Sequence, residues 1–373
     1  MPTLVLVLPG LSAPDESLSV LRGRFARLAE LSELSVLRPL GELETPEACY
    51  LGLSPDEGQM RPGPLMVSAL GEDPPPRSTH FLVSVLSLTG DVLTVPDALP
   101  SFEEFRELIS VFRLLRTKSL TLLQGEELEH ALVWEGIGDV HTVPLALAVG
   151  GPIEASLPEG DLEGPLRRFI DDSVNILMDA SFNRIRVEEG RAPLLVLWPW
   201  GQGLRYPLPN LAIRRGGPAM VQSESYRMAG LTRLVGYRHG DRKRYRSGLN
   251  LDLPAMAKSP PGSLPSLQVI SAPADLRAKD RMEELEWFAD RFEREYLGPI
   301  WEWVGDREAA GETVSLTIAS PANSYEGLAL SYVTKSVPGR PLPFDERVFD
   351  ERGVPRRNLH ELIDAALSRT QPI

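Results

Sequence analysis

The sequence predicts an α/β fold built on a largely parallel, doubly wound sheet, and three observations carry that prediction. The chain opens on an apolar run, Thr3 to Leu8, that stops at Pro9-Gly10, the form of a buried strand ended early by a tight turn. A second continuous apolar run, Pro193 to Pro199, has the composition of a strand covered on both faces. Between and beyond these runs, short strand-like segments alternate with segments of helical periodicity, as in βαβ units.

Taken in order, leucines between Leu18 and Leu37 recur at mixed helical spacing among arginines and glutamates, which predicts an amphipathic helix running into a short strand. Thr45-Pro46-Glu47 reads as a helix start, with threonine as N-cap and proline in the first turn. Ser54 to Pro64 is rich in turn formers. Phe81 to Val95, interrupted at Thr89-Gly90-Asp91, predicts a hairpin, and Phe102 to Arg116 a helix. Gly151 to Gly164 reads as a connector, followed by a core-facing helix over Leu166 to Ala180. The main sheet is expected to resume at Pro193. Beyond it the pattern gives strands at Ala219–Gln222, Leu267–Ser271, Thr313–Ile318 and Ala329–Val333, with helices at Ser225–Val235, Arg281–Tyr296 and Leu359–Ser368. Pro74-Pro75-Pro76 and Lys258 to Pro265 read as loops, and no internal repeat is present.

A length of 373 residues points to about two domains. With 39 basic against 52 acidic side chains the net charge is −13, so the average surface repels phosphate backbones and anionic lipid, which argues against nucleic acid or membrane as partners. The single cysteine, Cys49, excludes an intrachain disulfide and a cysteine metal cluster, and a cytoplasmic protein is expected. The run Leu4 to Leu8 is far shorter than the ~20 residues that span a bilayer, and no basic region precedes it as in a signal peptide.

Several segments match one family in order: LVLPGL at the start, LGLSPDE, RPGPLMVSALGED, FNRIRVEEGRAP with the strand and WPWGQG turn after it, ESYRMAGLTRLVG, and FDERVFDERG near the end. On these the chain resembles the archaeal-type cofactor-independent phosphoglycerate mutases of the alkaline phosphatase superfamily. The resemblance implies an alkaline phosphatase-like core at residues 1–71 and 186–373, interrupted by a smaller α+β cap domain at residues 72–185. It also implies two divalent metals, such as manganese or zinc, held by aspartates and histidines, with a hydroxyl nucleophile at a helix N-terminus; the metals neutralise phosphate charge and activate the hydroxyl.

Most of those groups are replaced. Where the family has Asp-Gly after the first strand, the chain has Pro9-Gly10; where it has Asp-His after a late strand, the chain has Ser320-Pro321. An aspartate and a histidine four residues apart match Ser271 and Asp275, leaving Asp275 as the candidate metal ligand. The five histidines, His80, His130, His141, His239 and His360, fall on none of these positions and read as surface or cap residues. Thr45 is the candidate nucleophile, with helix capping as its plainer role; another match places Ala48 there. The family's Gly-Arg-Gly loop reads Gly63-Pro64-Leu65, its basic residue before Gly230 is Ala229, and an arginine in the first cap strand is Val83.

For substrate binding this leaves Asn183, Arg184 and Arg186, which can meet an anion at the cleft between core and cap or form a solvated helix end. Trp198 and Trp200 flank Pro199 before Gly201-Gln202-Gly203, a weak phosphate-turn signal with no lysine or serine at the required spacing. The basic stretch His239 to Arg246 reads as a solvated loop or a contact for an acidic partner. Cys49 reads as core.

Together these losses predict a catalytically degenerate mutase-like protein with no metal cofactor, acting in binding or regulation through a small anionic ligand in the core–cap cleft or a protein partner. Two alternatives stand beside it. One is an active 2,3-bisphosphoglycerate-independent mutase or metal-dependent phosphohydrolase whose metal site is rebuilt from Asp275, Asp280, Asp290, Glu44 and Glu47; the other is a structural partner protein.

Overall fold

Thr3–Val7 forms the first strand with all five side chains buried, as an unbroken apolar run demands when helices cover both faces of a sheet. The computed structural model describes residues 1–11, 32–240, 251–257, 264–324, 327–333 and 356–368. In chain order the strands are β1 (Thr3–Val7), β2 (Glu33–Leu37), β3 (Ser78–Thr89), β4 (Val92–Thr94), β5 (Leu120–Glu126), β6 (Glu129–Glu135), β7 (Val140–His141), β8 (Glu159–Gly160), β9 (Val196–Gly203), β10 (Met220–Gln222), β11 (Arg238–His239), β12 (Ser266–Val269), β13 (Ser315–Ser320), β14 (Gly327–Val333) and β15 (Arg356–Arg357). They fall into two units, Met1–Gln59 with Leu208–Ile373, and Met60–Pro207.

The first unit holds an eight-stranded sheet in the order β11-β10-β12-β1-β13-β14-β2-β15. β11, β10, β12, β1 and β13 run parallel, and β14 alone opposes its neighbours β13 and β2. The register sets Val5 opposite Leu267 on one side and Thr317 on the other. Leu4, Leu6 and Leu8 share a cluster with Phe288, Phe292 and Tyr296, which come from the helix Met282–Phe292 and the turn that continues it. Those three rings stack in a ladder, with centroids 6.0 and 4.9 Å apart. The helix Leu359–Ser368 packs on β1 and β13, and its buried leucines lie outside that cluster. The alternation of strands and helices read from the sequence gives this mostly parallel α/β sheet.

In the second unit β3 is the central strand, pairing antiparallel with β4, β6 and β9, and β5 pairs antiparallel with β6. The expected hairpin is β3–β4, turning at Gly90 with φ of 66°. The expectation that the main sheet resumes at Pro193 is corrected here: β9 pairs with β3 from Leu82–Trp200 to Leu86–Val196 and belongs to the second unit. Both expected ends of the insert, residues 72 and 185, therefore fall inside this unit. β9 is apolar throughout its first half because the helices Pro62–Ala69 and Glu163–Met178 both pack against it. Burial of that kind does not reveal whether a strand's neighbour is parallel or antiparallel.

Of the helix expected at Leu18 to Leu37, residues 18–31 lie outside the described residues, and Glu33–Leu37 forms the expected strand. The FDERVFDERG segment, residues 241–246 of the basic stretch and residues 258–263 also lie outside them.

Candidate functional site

In an open α/β sheet, ligands collect beyond the carboxyl ends of the parallel strands. In the first unit those ends are Leu8-Pro9-Gly10 after β1, Ser320-Pro321 at β13, Ile270-Ser271 after β12 and Ser223-Glu224 after β10. They are tied to one another through backbone. The Leu8 N–H donates to Ala319 O at 2.8 Å, Gly10 N–H to Pro321 O at 3.0 Å and Ile270 N–H to Val7 O at 3.0 Å. Gly10 holds φ of 69°, and a Cβ there would lie 3.0 Å from the Ala274 Cα, so this turn is closed against the helix Ala272–Ala278. Arg277 of that helix donates from Nε to Gly10 O at 2.7 Å, which commits the guanidinium to the turn.

The acidic groups at this edge are Glu224 and Asp275. The Ser271 N–H donates to Glu224 Oε1 at 2.9 Å, linking the ends of β10 and β12. Burial raises the Glu224 pKa and the nearby Asp275 charge adds to the rise, against hydrogen bonds from its own and the Ser271 backbone. Asp275 is an exposed residue in the first turn of its helix; partial desolvation raises its pKa too, with Lys279 pulling it down. Desolvation thus biases both carboxyls towards their neutral forms, which weakens them as ligands for a divalent ion. At the positions where the resemblance implies ligands stand prolines, a glycine, serines and the single carboxylate of Asp275, a donor set that does not fit a pair of divalent ions. Among the described residues no group of three His, Cys, Asp or Glu is arranged to hold a metal, so Asp275, Asp280, Asp290, Glu44 and Glu47 are not brought together as one.

Thr45 is buried, but the predicted helix start is corrected: the helix is a single turn, Glu47–Tyr50, whose N-cap is Pro46, with no side-chain cap. Ala48 and Cys49 are buried in that turn, and burial pushes the Cys49 thiol up to about 11. Arg227 of the helix Tyr226–Leu234 lies 3.7 Å from Glu47.

Asn183, Arg184 and Arg186 lie on the helix Ser181–Glu188 of the second unit and do different things. The reading of all three as anion-binding or as a solvated helix end is corrected for two of them. The Asn183 amide donates to Leu177 O at 2.8 Å and Leu194 O at 2.7 Å and accepts from Leu194 N–H at 2.7 Å, which uses its donors and its acceptor. Arg186 has no exposed surface and donates to Glu104 Oε2 at 3.0 Å, Ala192 O at 2.7 Å and Ala98 O at 2.8 Å. Glu104 also receives Arg191 at 2.7 Å and the Ser101 N–H at 2.7 Å. Burial would raise the Glu104 pKa, but these donors outweigh it and hold the carboxyl below its ordinary range. Only Arg184 faces solvent.

The histidines do not gather. His80 and His130 are fully buried in the second unit's sheet rather than at its surface. His239 lies on β11, with Nδ1 2.7 Å from Gly240 O. Trp198 is core, and Trp200 donates to Ser84 Oγ at 2.9 Å. Gln202 donates to Val140 O at 3.0 Å, so that turn is bound to protein. The segment matching the family's Gly-Arg-Gly loop is the buried helix Pro62–Ala69, and Gly63 sits so close to β3 that a Cβ would come 2.2 Å from His80 O.

The sequence reading did not single out Glu224. An acid two residues beyond a short strand was its only local signal; its role at the edge depends on Ser271, which is remote in sequence.

No family model matches the chain. A curated protein of Geobacter sulfurreducens, described as a probable 2,3-bisphosphoglycerate-independent phosphoglycerate mutase, is 28% identical over 165 residues. The match spans 42% of this chain and 39% of that protein. A solved structure from Pyrococcus horikoshii superposes over 100% of this chain and 98% of its own, with a TM-score of 0.65 at 16% identity. A cofactor-independent phosphoglycerate mutase from Thermoplasma acidophilum does so over 99% and 100%, with a TM-score of 0.57 at 16% identity. In part of its sequence and in its fold, this chain resembles the cofactor-independent phosphoglycerate mutases.

Proposed function

We propose that this phosphoglycerate mutase-like protein does not perform the two-metal phosphoryl transfer that its resemblance implies and acts in binding or regulation instead. The observation that carries the reading is the set of residues at the strand ends. Pro9-Gly10, Ser320-Pro321 and Ser271 stand where metal-binding aspartates and histidines are implied, and the first two are packed backbone to backbone. Losing one ligand from a two-metal centre leaves room for compensation. Losing nearly all of them removes the positive charge that a transferring phosphoryl group needs. Closure of the Gly10 turn on Ala274 and engagement of Arg277 by Gly10 O support the same reading.

A thermal-shift titration of the full chain with manganese or zinc, each with and without 3-phosphoglycerate, tests it, because a ligand bound only by the folded state raises the melting temperature. No metal-dependent shift and no mutase turnover are expected. A metal-dependent rise with turnover of 3-phosphoglycerate overturns the reading.

A further inference from the structure

The second unit contains a cavity of about 510 Å³, within the range of small-molecule sites. Its residues all belong to that unit. The floor is apolar: Val67 from the last turns of the helix Pro62–Ala69, Leu123 from β5 and Val133 from β6. β-Sheet alternation places Leu123 on the same face as Thr121, which is in register with Val133. The wall is the segment from Glu72 to Arg77. Prolines at 74, 75 and 76 stiffen it, and Arg77, held in the left-handed region at φ of 62°, accepts the Gly136 N–H at 3.1 Å through its carbonyl. The wall is thus built before any ligand arrives, which lowers the cost of binding one.

The charge of the lining is lopsided. Glu72, Asp73 and Glu135 supply three carboxylates against the single guanidinium of Arg77. Among the described residues no side chain pairs with Glu72 or Glu135, and both are exposed lining residues. An anion is repelled by this lining, and a neutral apolar molecule leaves its carboxylates unused. We propose that the cavity binds a small organic amine with an apolar body, the ammonium at Glu72 and Glu135 and the body on Val67, Leu123 and Val133. This site shares no residue with the strand ends and does not depend on the function proposed above.

Saturation-transfer NMR and calorimetry on the full chain, with phenethylamine as the probe and 2-phenylethanol and phenylacetate as its neutral and anionic counterparts, test the proposal. Saturable binding of the amine is expected, with the alcohol about tenfold weaker or more and the acid silent. The double variant Glu72→Gln, Glu135→Gln abolishes the preference for amine over alcohol, and Arg77→Gln strengthens amine binding by removing a like charge. Absence of amine binding, equal binding of the alcohol, or an amine affinity unchanged in the double variant overturns it.

Discussion

His130 shows how much one buried side chain can demand of its surroundings. It is fully buried on β6, accepts the Gly125 N–H at Nδ1 over 3.0 Å, and lies edge-on to Phe112 with centroids 4.7 Å apart. Because Nδ1 is the acceptor, the neutral ring carries its proton on Nε2. Burial lowers the pKa to about 3, against 6.5 for a free imidazole. The unfolded chain therefore binds a proton at a pH where the folded chain does not. The stability that depends on a neutral His130 is complete above pH 6.5 and is lost as pH falls towards 3. The loss reaches about 2 kcal/mol by pH 5, at ~1.4 kcal/mol per pH unit. Imidazole ¹⁵N shifts should show His130 still neutral at pH 5, with urea midpoints falling between pH 7 and pH 5; a ring that titrates near 6.5 contradicts this. At the same scale, the prolines that end the strands, Pro9 and Pro321, were legible in the sequence wherever they fall. It did not disclose that Asn183 and Arg186 are structural. Their backbone partners, Leu194, Ala192 and Ala98, carry no side-chain signature of the bond.

Among the elements, the helix Pro62–Ala69 is the one most tightly constrained by its neighbour. Its residues from Pro62 to Ser68 are all buried, and Gly63 allows it to lie on β3, where a Cβ would sit 2.2 Å from His80 O and 2.8 Å from Phe81 Cα. Those are backbone atoms of a central strand, so they cannot turn aside. Gly63→Ala should destabilise the second unit by about 1–3 kcal/mol, the usual cost of overpacking. A melting temperature within a degree of the parent in differential scanning calorimetry contradicts this. The elements were legible where periodicity was long. The helices Phe102–Leu115 and Leu359–Ser368 stand where their leucine and phenylalanine spacing put them. Thr45-Pro46 announced a helix start but not its length, because the chain turns away at Gly52, whose φ is 88°. For β9 the apolar run disclosed a buried strand but not its neighbour, since its pairing with β3 spans more than a hundred residues of sequence.

At the scale of the whole molecule, the second unit is a single excursion of the chain, leaving the first unit after Gln59 and returning at Leu208. It has its own sheet and its own cluster around Phe81, Leu132, Phe169 and Trp198. Residues 60–207 expressed alone should therefore fold and melt cooperatively; a fragment without a sigmoidal transition by circular dichroism contradicts that independence. The fragment should also melt below the same unit in the full chain. While the first unit stays folded it grips both ends of the excursion, so the second unit unfolds there as a closed ring rather than an open string. Closing a loop of that length withholds about 4–5 kcal/mol of chain entropy from the unfolded state in the ideal-chain account. The insertion thus acts on the second unit as a covalent cross-link would, in a chain whose one cysteine cannot form an intrachain disulfide.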